Sequence, residues 1–198
     1  DEVVDYITSR ESPLTVLYCV SEYPCPPEYF NLSTIEYFKE KYPNVIIGFS
    51  DHSVGDINIP LAAVKMGAQV IEKHFSFSRD LWGSDHKASI TPDEMRDLIN
   101  AIKNNEHHKI DTDIYYGKKN RELEGAKNKF RPYFNKSLVA SRDIPKGTVI
   151  TEDMVYAMRP KMHIDGLPSN HFHSILNKKT KKDLKKYEPI SKKHIHLK

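Results

Sequence analysis

Cysteine is scarce in this chain of 198 residues: there are two, Cys19 and Cys25. Neither belongs to a CxxC pair of the kind that holds a metal, and such sparse use fits a reducing compartment. Long apolar runs are also missing. No stretch approaches the roughly 20 residues needed to span a bilayer, and the start, DEVVDYITSR, is acidic and amphipathic, unlike a signal peptide. Charge of one sign is lacking too: 30 basic against 27 acidic residues leave +3, too balanced to argue for nucleic acid. A soluble, cytoplasmic protein with neither nucleic acid nor membrane as partner is therefore expected. The basic excess is local, in NKKTKKDLKK (177–186) and the lysine-rich tail, and reads as a solvated face rather than an anion- or RNA-binding patch.

What is present alternates. LTVLYCV (14–20) is β-branched and aromatic and reads as a buried strand; NVIIGFS (44–50) is a second and AQVIEKHFSF (68–77) a third. Between and after them lie three helical patterns. In NLSTIEYFKEKY (31–42), Leu32, Ile35, Phe38 and Tyr42 share a face, with Asn31 or Ser33 available as cap. GDINIPLAAVKMG (55–67) has Pro60 in its first turns and Gly67 as stop signal. TPDEMRDLINAIKNNE (91–106) opens with Thr91 as cap, Pro92 at the first helical position and Glu94 completing a capping box.

Strand-helix alternation of this kind predicts right-handed parallel βαβ units, with polar residues gathered at the strand C-termini. A (β/α)₈ barrel builds its active site at that face, and a doubly wound sheet also binds ligands there. Three units are not a barrel, which needs roughly 250 residues. The expectation is an α/β chain comprising the last three βα units of a TIM (β/α)₈ barrel over 1–106, the C-terminal part of something larger. Residues 107–134 are polar, lack periodicity and read as a linker with one short helix. Over 135–198 the texture changes to short strands, SLVAS and TVI, around the turn DIPKG, an idea repeated in KYEPISKKHI. A small, mainly β module, marginal unless packed on a partner, is expected there.

His52 and His74 are the sharpest chemical pair. Each ends or nearly ends one of two consecutive strands, so both can point into one mouth, where neutral imidazoles bind divalent metals and leave positions open for substrate and water. The plain reading is two hydrogen-bonded rim histidines. Glu72 shares the strand face of His74, to orient a ligand or bind substrate, or else to pair with a lysine. In the loop GSDHKAS (83–89), Gly83 permits close backbone approach, and Asp85 and His86 suit hydroxyl or proton-transfer work. Trp82 before it suits stacking on a sugar face or structural anchoring. Ser21 and Tyr23 follow the first strand, and Ser50, Asp51 and His52 follow the second.

Five ordered segments, YCVSEYPCPPEYFNL, IGFSDHSVGD, AAVKMGAQVIEKHF, LWGSDHKAS and SLVASRDIPKGTVITEDMVYAMRP, resemble the sialic acid synthases, N-acetylneuraminate synthase and its nonulosonate relatives. The last resembles the family's antifreeze-like (SAF) domain. The resemblance implies condensation of phosphoenolpyruvate with an N-acetylated hexosamine such as N-acetylmannosamine, or its 6-phosphate, with release of phosphate. It implies His52 and His74 as ligands of a divalent metal, Mn²⁺ first and Mg²⁺ or Co²⁺ as alternatives. It places Ser50 on phosphate, and Tyr23 and Asp85 on the amino sugar. It also implies that Arg159 reaches the partner subunit's active site in a domain-swapped homodimer.

The chain departs from the pattern in places. Val20 and Ser21 stand where the family often has threonine or asparagine, which bears on phosphoenolpyruvate contacts. Lys161 and Asn177 stand where glycines are common, and asparagine tolerates positive φ. The LWGSDHKAS form looks more like the sialic and legionaminic acid branches than the pseudaminic. The family's catalytic glutamate and its phosphoenolpyruvate-clamping lysines and serines, which belong to earlier strands, are not in this stretch. Inactivity without those strands is expected, the alternative being a non-catalytic sugar-binding or assembly module of the same ancestry. A third possibility, an unrelated two-histidine metallohydrolase, lacks an identifiable carboxylate ligand.

Overall fold

Val16, Tyr18, Ile47, Phe49 and Ile71 pack into one core with residues of two helices, while their strand neighbours Leu17, Cys19, Ser50 and Glu72 share the opposite face. The computed structural model describes residues 1–23, 25–119, 131–161 and 164–196. The chain divides into two units, Asp1–Glu122 and Leu123–Lys198.

In the first unit α1 (Glu2–Thr8) precedes β1 (Thr15–Cys19), α2 (Ser33–Lys41), β2 (Ile46–Asp51), α3 (Asn58–Lys65), β3 (Ile71–Lys73) and α4 (Pro92–Lys103). The strands lie in the order β1-β2-β3, all parallel, with Cys19 opposite Ser50 and Ser50 opposite Glu72. A parallel neighbour demands a crossover, and α2 and α3 supply it, burying Ile35, Ile59, Ala62 and Ala63 against the sheet. Leu98 and Ala101 of α4 pack with Leu61 and Ile90 in a smaller cluster. The opposite face is tight at one point: a Cβ on Gly48 would lie 2.5 Å from both Leu17 Cδ2 and the Val70 carbonyl oxygen.

The helix signals act where the sequence places them, with one exception. Thr91 and Glu94 form the capping box of α4. Gly67, at φ 99°, ends α3: its N–H donates to Val64 O and that of Ala68 to Ala63 O, both at 2.9 Å. At α2 neither Asn31 nor Ser33 caps; Leu32 is the cap position and Ser33 the first helical residue. Asn31, at φ 47°, is used otherwise, since its Oδ1 accepts from Lys118 N at 2.9 Å. The third strand is shorter than 68–77. Beyond Lys73 the extended chain pairs with a single residue, Phe75 bridging Ile90.

Residues 107–119 are not linker. Buried Tyr115 and partly buried Ile110 pack against the first unit's core and tie these residues there, together with hydrogen bonds from Leu32 N to Tyr115 O and from Lys65 Nζ to Ile110 O. A short α5 (Asp113–Tyr116) forms in this stretch. Polarity hid the packing because one aromatic and one aliphatic side chain carry it. Of the rest of the expected linker, 120–134, residues 120–130 lie outside the described residues.

The second unit begins with α6 (Arg131–Phe134) and pairs β4 (Ser137–Ala140) antiparallel with β5 (Val155–Met158); α7 (Phe172–Ile175) follows. Two copies of one pattern build its core. Ile144, Ile150 and Val155 recur forty positions on as Leu184, Ile190 and Ile195, all six in one buried cluster. Each copy turns through a positive φ, at Gly147 (81°) and Tyr187 (67°), and each ends in a 3₁₀ turn, Glu152–Met154 and Lys192–His194. The expected strand TVI contributes one isolated pairing, Val149 with Lys179. Asn177 holds φ 61°, as a residue standing in for glycine must. No helix among the described residues is long and apolar enough to cross a membrane.

Candidate active site

The C-terminal ends of the three parallel strands bring three rings together. The Tyr23 ring lies 4.0 Å from that of His52 and 5.8 Å from that of His74, centroid to centroid, and the two imidazoles are 5.3 Å apart. Parallel register causes this: each ring follows its own strand by one to four residues, and adjacent strands end side by side.

His52 is fixed in one tautomer. Its Nδ1 lies 2.7 Å from Val20 O, and since a carbonyl only accepts, Nδ1 carries the proton and Nε2 keeps the lone pair. Its backbone carbonyl accepts from Cys25 N at 3.2 Å. Burial lowers the imidazole pKa, and the nearby His74 and Lys73 add to the effect, against the Val20 hydrogen bond and Asp51. A neutral ring with a free Nε2 is what a metal ligand requires. Among the described residues no three or more of His, Cys, Asp and Glu converge on a common point. A metal here would take His52 and His74 from this chain and its other ligands from elsewhere.

Ser50 and Glu72, register partners, are joined: Ser50 Oγ donates to Glu72 Oε1 at 2.7 Å. The hydroxyl predicted for phosphate is thus directed at a carboxylate. Cys19 completes the row across β1, and sequence reasoning missed it because only the strand register aligns it with Ser50. Its thiol lies 3.9 Å from His52 Nδ1, and burial raises its pKa against the lowering hydrogen bonds of Ser50 and Ser21. Neither cysteine forms a disulfide.

Lysine pairing goes to a different carboxylate from the one considered in the sequence. Lys73 Nζ lies 2.7 Å from Asp51 Oδ2, on the opposite face of the sheet from Glu72, with both side chains buried. Alternation decides it: Asp51 and Lys73 are register partners on the helix-packed face. Asp51 also accepts from Ser53 N (2.8 Å) and Ser53 Oγ (2.9 Å).

Tyr23 is half-exposed, and its phenol pKa is raised, first by burial and then by the negative charge of Cys19, Asp85 and Glu72. The field of Asp85 therefore reaches the ring cluster. Asp85 is exposed and accepts from Ser84 Oγ at 3.0 Å. His86 is tied elsewhere, its Nδ1 2.8 Å from Ser76 Oγ. That hydroxyl already gives its proton to Ser78 O at 2.8 Å, so Nδ1 donates and Nε2 is the free acceptor. A Cβ on Gly83 would come within 3.0 Å of the His86 ring. Trp82 is 99% exposed, which rules out the anchoring role within this unit. Ser21 is exposed beside Cys19. Arg159 belongs to the second unit, just after β5, where its guanidinium carbon lies 5.5 Å from the Phe134 ring centroid.

Residues 1–113 match the NeuB family and residues 135–196 the SAF domain. The chain belongs to the NeuB family. It is 38% identical to the pseudaminic acid synthase of Campylobacter jejuni, the alignment covering 93% of this chain and 50% of that protein. It is 34% identical to the N-acetylneuraminate-9-phosphate synthase of Homo sapiens, over 82% of this chain and 43% of that one. The crystal structure of the spore coat polysaccharide biosynthesis protein SpsE of Bacillus subtilis superposes with a TM-score of 0.84 at 29% identity, covering 100% of this chain and 57% of that chain. This NeuB-family chain thus spans about half the length of the curated relatives it matches. Identities of 38% and 34% do not favour the sialic acid branch over the pseudaminic, as the form of LWGSDHKAS had suggested.

Proposed function

We propose that this chain supplies the last three βα units of a (β/α)₈ barrel and the SAF domain of a nonulosonate synthase of the sialic acid type. The reaction joins phosphoenolpyruvate to N-acetylmannosamine or a related amino sugar: C3 of phosphoenolpyruvate attacks the open-chain aldehyde, water adds at C2, and phosphate leaves with C–O cleavage. The observation that carries the reading is the cluster of Tyr23, His52 and His74 at the ends of adjacent parallel strands, within 4.0 to 5.8 Å of one another. The uniform strand order supports a barrel, since a doubly wound sheet reverses its order at its binding crevice.

His52 and His74 would hold the divalent ion, Mn²⁺ foremost; when bound, it polarises the acceptor aldehyde. The chain's own groups do the rest. Burial keeps His52 neutral, and the Val20 carbonyl keeps the Nδ1 proton away from the ligand nitrogen. Tyr23, with its phenol pKa raised, stays protonated and donates to a sugar oxygen, and Asp85 and His86 accept from sugar hydroxyls. Ser50 and Ser21 meet the phosphoenolpyruvate end, Ser50 turning its proton from Glu72 to phosphate. Arg159 reaches the partner subunit's site in a domain-swapped homodimer. Two cysteines outside any disulfide fit a cytoplasmic setting.

Phosphate release tests this directly. The 198 residues alone, given phosphoenolpyruvate, N-acetylmannosamine and Mn²⁺, should release none. The same residues placed after the first five βα units of a family relative's barrel should release it, and His52→Ala or His74→Ala should abolish it. Turnover by the short chain would sink the partial-barrel reading, and release undiminished in both histidine variants would sink the site.

A further inference from the structure

Both candidate metal ligands follow immediately after a member of one buried ion pair: Asp51 precedes His52, and Lys73 precedes His74. The Asp51 and Lys73 side chains are 0% and 3% exposed, whereas every other ion pair among the described residues has partners at least 26% exposed. A buried pair is poor evidence for stability, because apolar residues of the same volume do as well or better. Its retention on a helix-packed face calls for another reason.

The hydrogen bonds supply one. Lys73 Nζ has three protons and three acceptors: Asp51 Oδ2 at 2.7 Å, Ser53 O at 2.7 Å and Ser53 Oγ at 3.1 Å. Asp51 holds the N–H and hydroxyl of Ser53 in return. Ser53 is therefore bound through N, O and Oγ, and His52 sits between two residues tied to each other and to Lys73. Its own carbonyl is held by Cys25 N, and the His74 carbonyl by Ile90 N at 2.7 Å. Nothing in the network lacks a partner, the condition under which a buried polar cluster specifies one geometry.

We infer that the Asp51–Lys73–Ser53 network is a positioning clamp, joining the ends of β2 and β3 from behind the site so that the His52 and His74 rings are held at one separation and His52 Nδ1 is kept in reach of Val20 O, the contact that fixes its tautomer. The metal consequence rests on the function proposed above; the histidine geometry does not.

The test pairs two readouts on the full chain. The Asp51→Leu/Lys73→Met double variant removes the charges and keeps the volume, so it should fold, checked by circular dichroism melting. Long-range ¹H–¹⁵N correlation of the imidazoles should show His52 as one Nδ1–H tautomer in the parent and a tautomer mixture in the variant. Mn²⁺ affinity, titrated by electron paramagnetic resonance, should fall by about tenfold or more, as for other groups that orient ligands. A folded double variant retaining the single tautomer overturns the clamp. If the parent binds no Mn²⁺ yet the tautomer shifts, the metal reading fails and the clamp stands. If the double variant does not fold, Ser53→Ala decides: it removes the shared hydroxyl alone and should populate the second tautomer, and an unchanged His52 spectrum overturns the inference.

Discussion

The Tyr23 ring lies 4.0 Å from the His52 ring, tilted by 34°, so a phenol that follows β1 covers an imidazole that follows β2. Two roles are separable in that contact: the ring packs, and the hydroxyl is proposed to donate to the sugar. Tyr23→Phe should leave Mn²⁺ binding unchanged and weaken N-acetylmannosamine binding about fivefold, the worth of one hydrogen bond of about 1 kcal/mol. Calorimetric titration of the sugar checks it; equal affinities would remove Tyr23 from the sugar site.

Gly48 has no room for a side chain. A Cβ would meet Leu17 Cδ2 and the Val70 carbonyl oxygen at 2.5 Å each, and Val70 Cβ at 2.9 Å. The carbonyl belongs to the backbone hydrogen-bonded to Phe49 N at 2.8 Å, and it cannot yield without loosening β2 from the chain entering β3. Gly48→Ala should cost about 1–3 kcal/mol in urea unfolding, the range for overpacking. A variant as stable as the parent would contradict this contact.

Much of this architecture was legible in the chain. Apolar runs gave three strands, and the capping box at Thr91 and the stop at Gly67 marked two helices, because caps are local chemistry. What was not legible depends on register and on distant contacts. The alignment of Cys19 with Ser50 and Glu72, and the choice of Asp51 rather than Glu72 as partner of Lys73, follow from which residues stand opposite across the sheet. Burial of Tyr115 in the first core could not be read from a polar stretch without periodicity. At the site, the spacing of His52 and His74 suggested a shared mouth, whereas the tie of His86 to Ser76 is a fold-back within one loop that no motif announces.

Asn177 occupies the left-handed region at φ 61°, where a β-branched side chain costs about 1–2 kcal/mol. Asn177→Val should lower stability by about that amount and Asn177→Gly by no more than a few tenths, measured by urea unfolding. Equal losses in both variants would mean that the side chain, not the backbone, matters there.

His194 gives the second unit a pH dependence. Burial, with the positive charges of Lys182 and Lys193, holds its pKa below the ordinary imidazole value, outweighing the Pro189 carbonyl and Glu188. The folded unit resists the proton that the unfolded chain accepts. Stability from this group is therefore intact above about pH 6.5 and is lost as pH falls from there through the depressed folded value. Between about pH 7.5 and pH 5.5 the parent should lose more stability than His194→Gln. Parallel stability curves would contradict it.

His52 and His74 are proposed to hold one metal ion between adjacent strand ends. Pulsed electron paramagnetic resonance of Mn²⁺ added to the chain measures it, through the coupling of imidazole nitrogens to the ion. Coupling to two histidine nitrogens is expected, reduced to one in His52→Ala or His74→Ala and absent in the double variant. Nitrogen coupling that is missing in the parent, or that survives the double substitution, would contradict it.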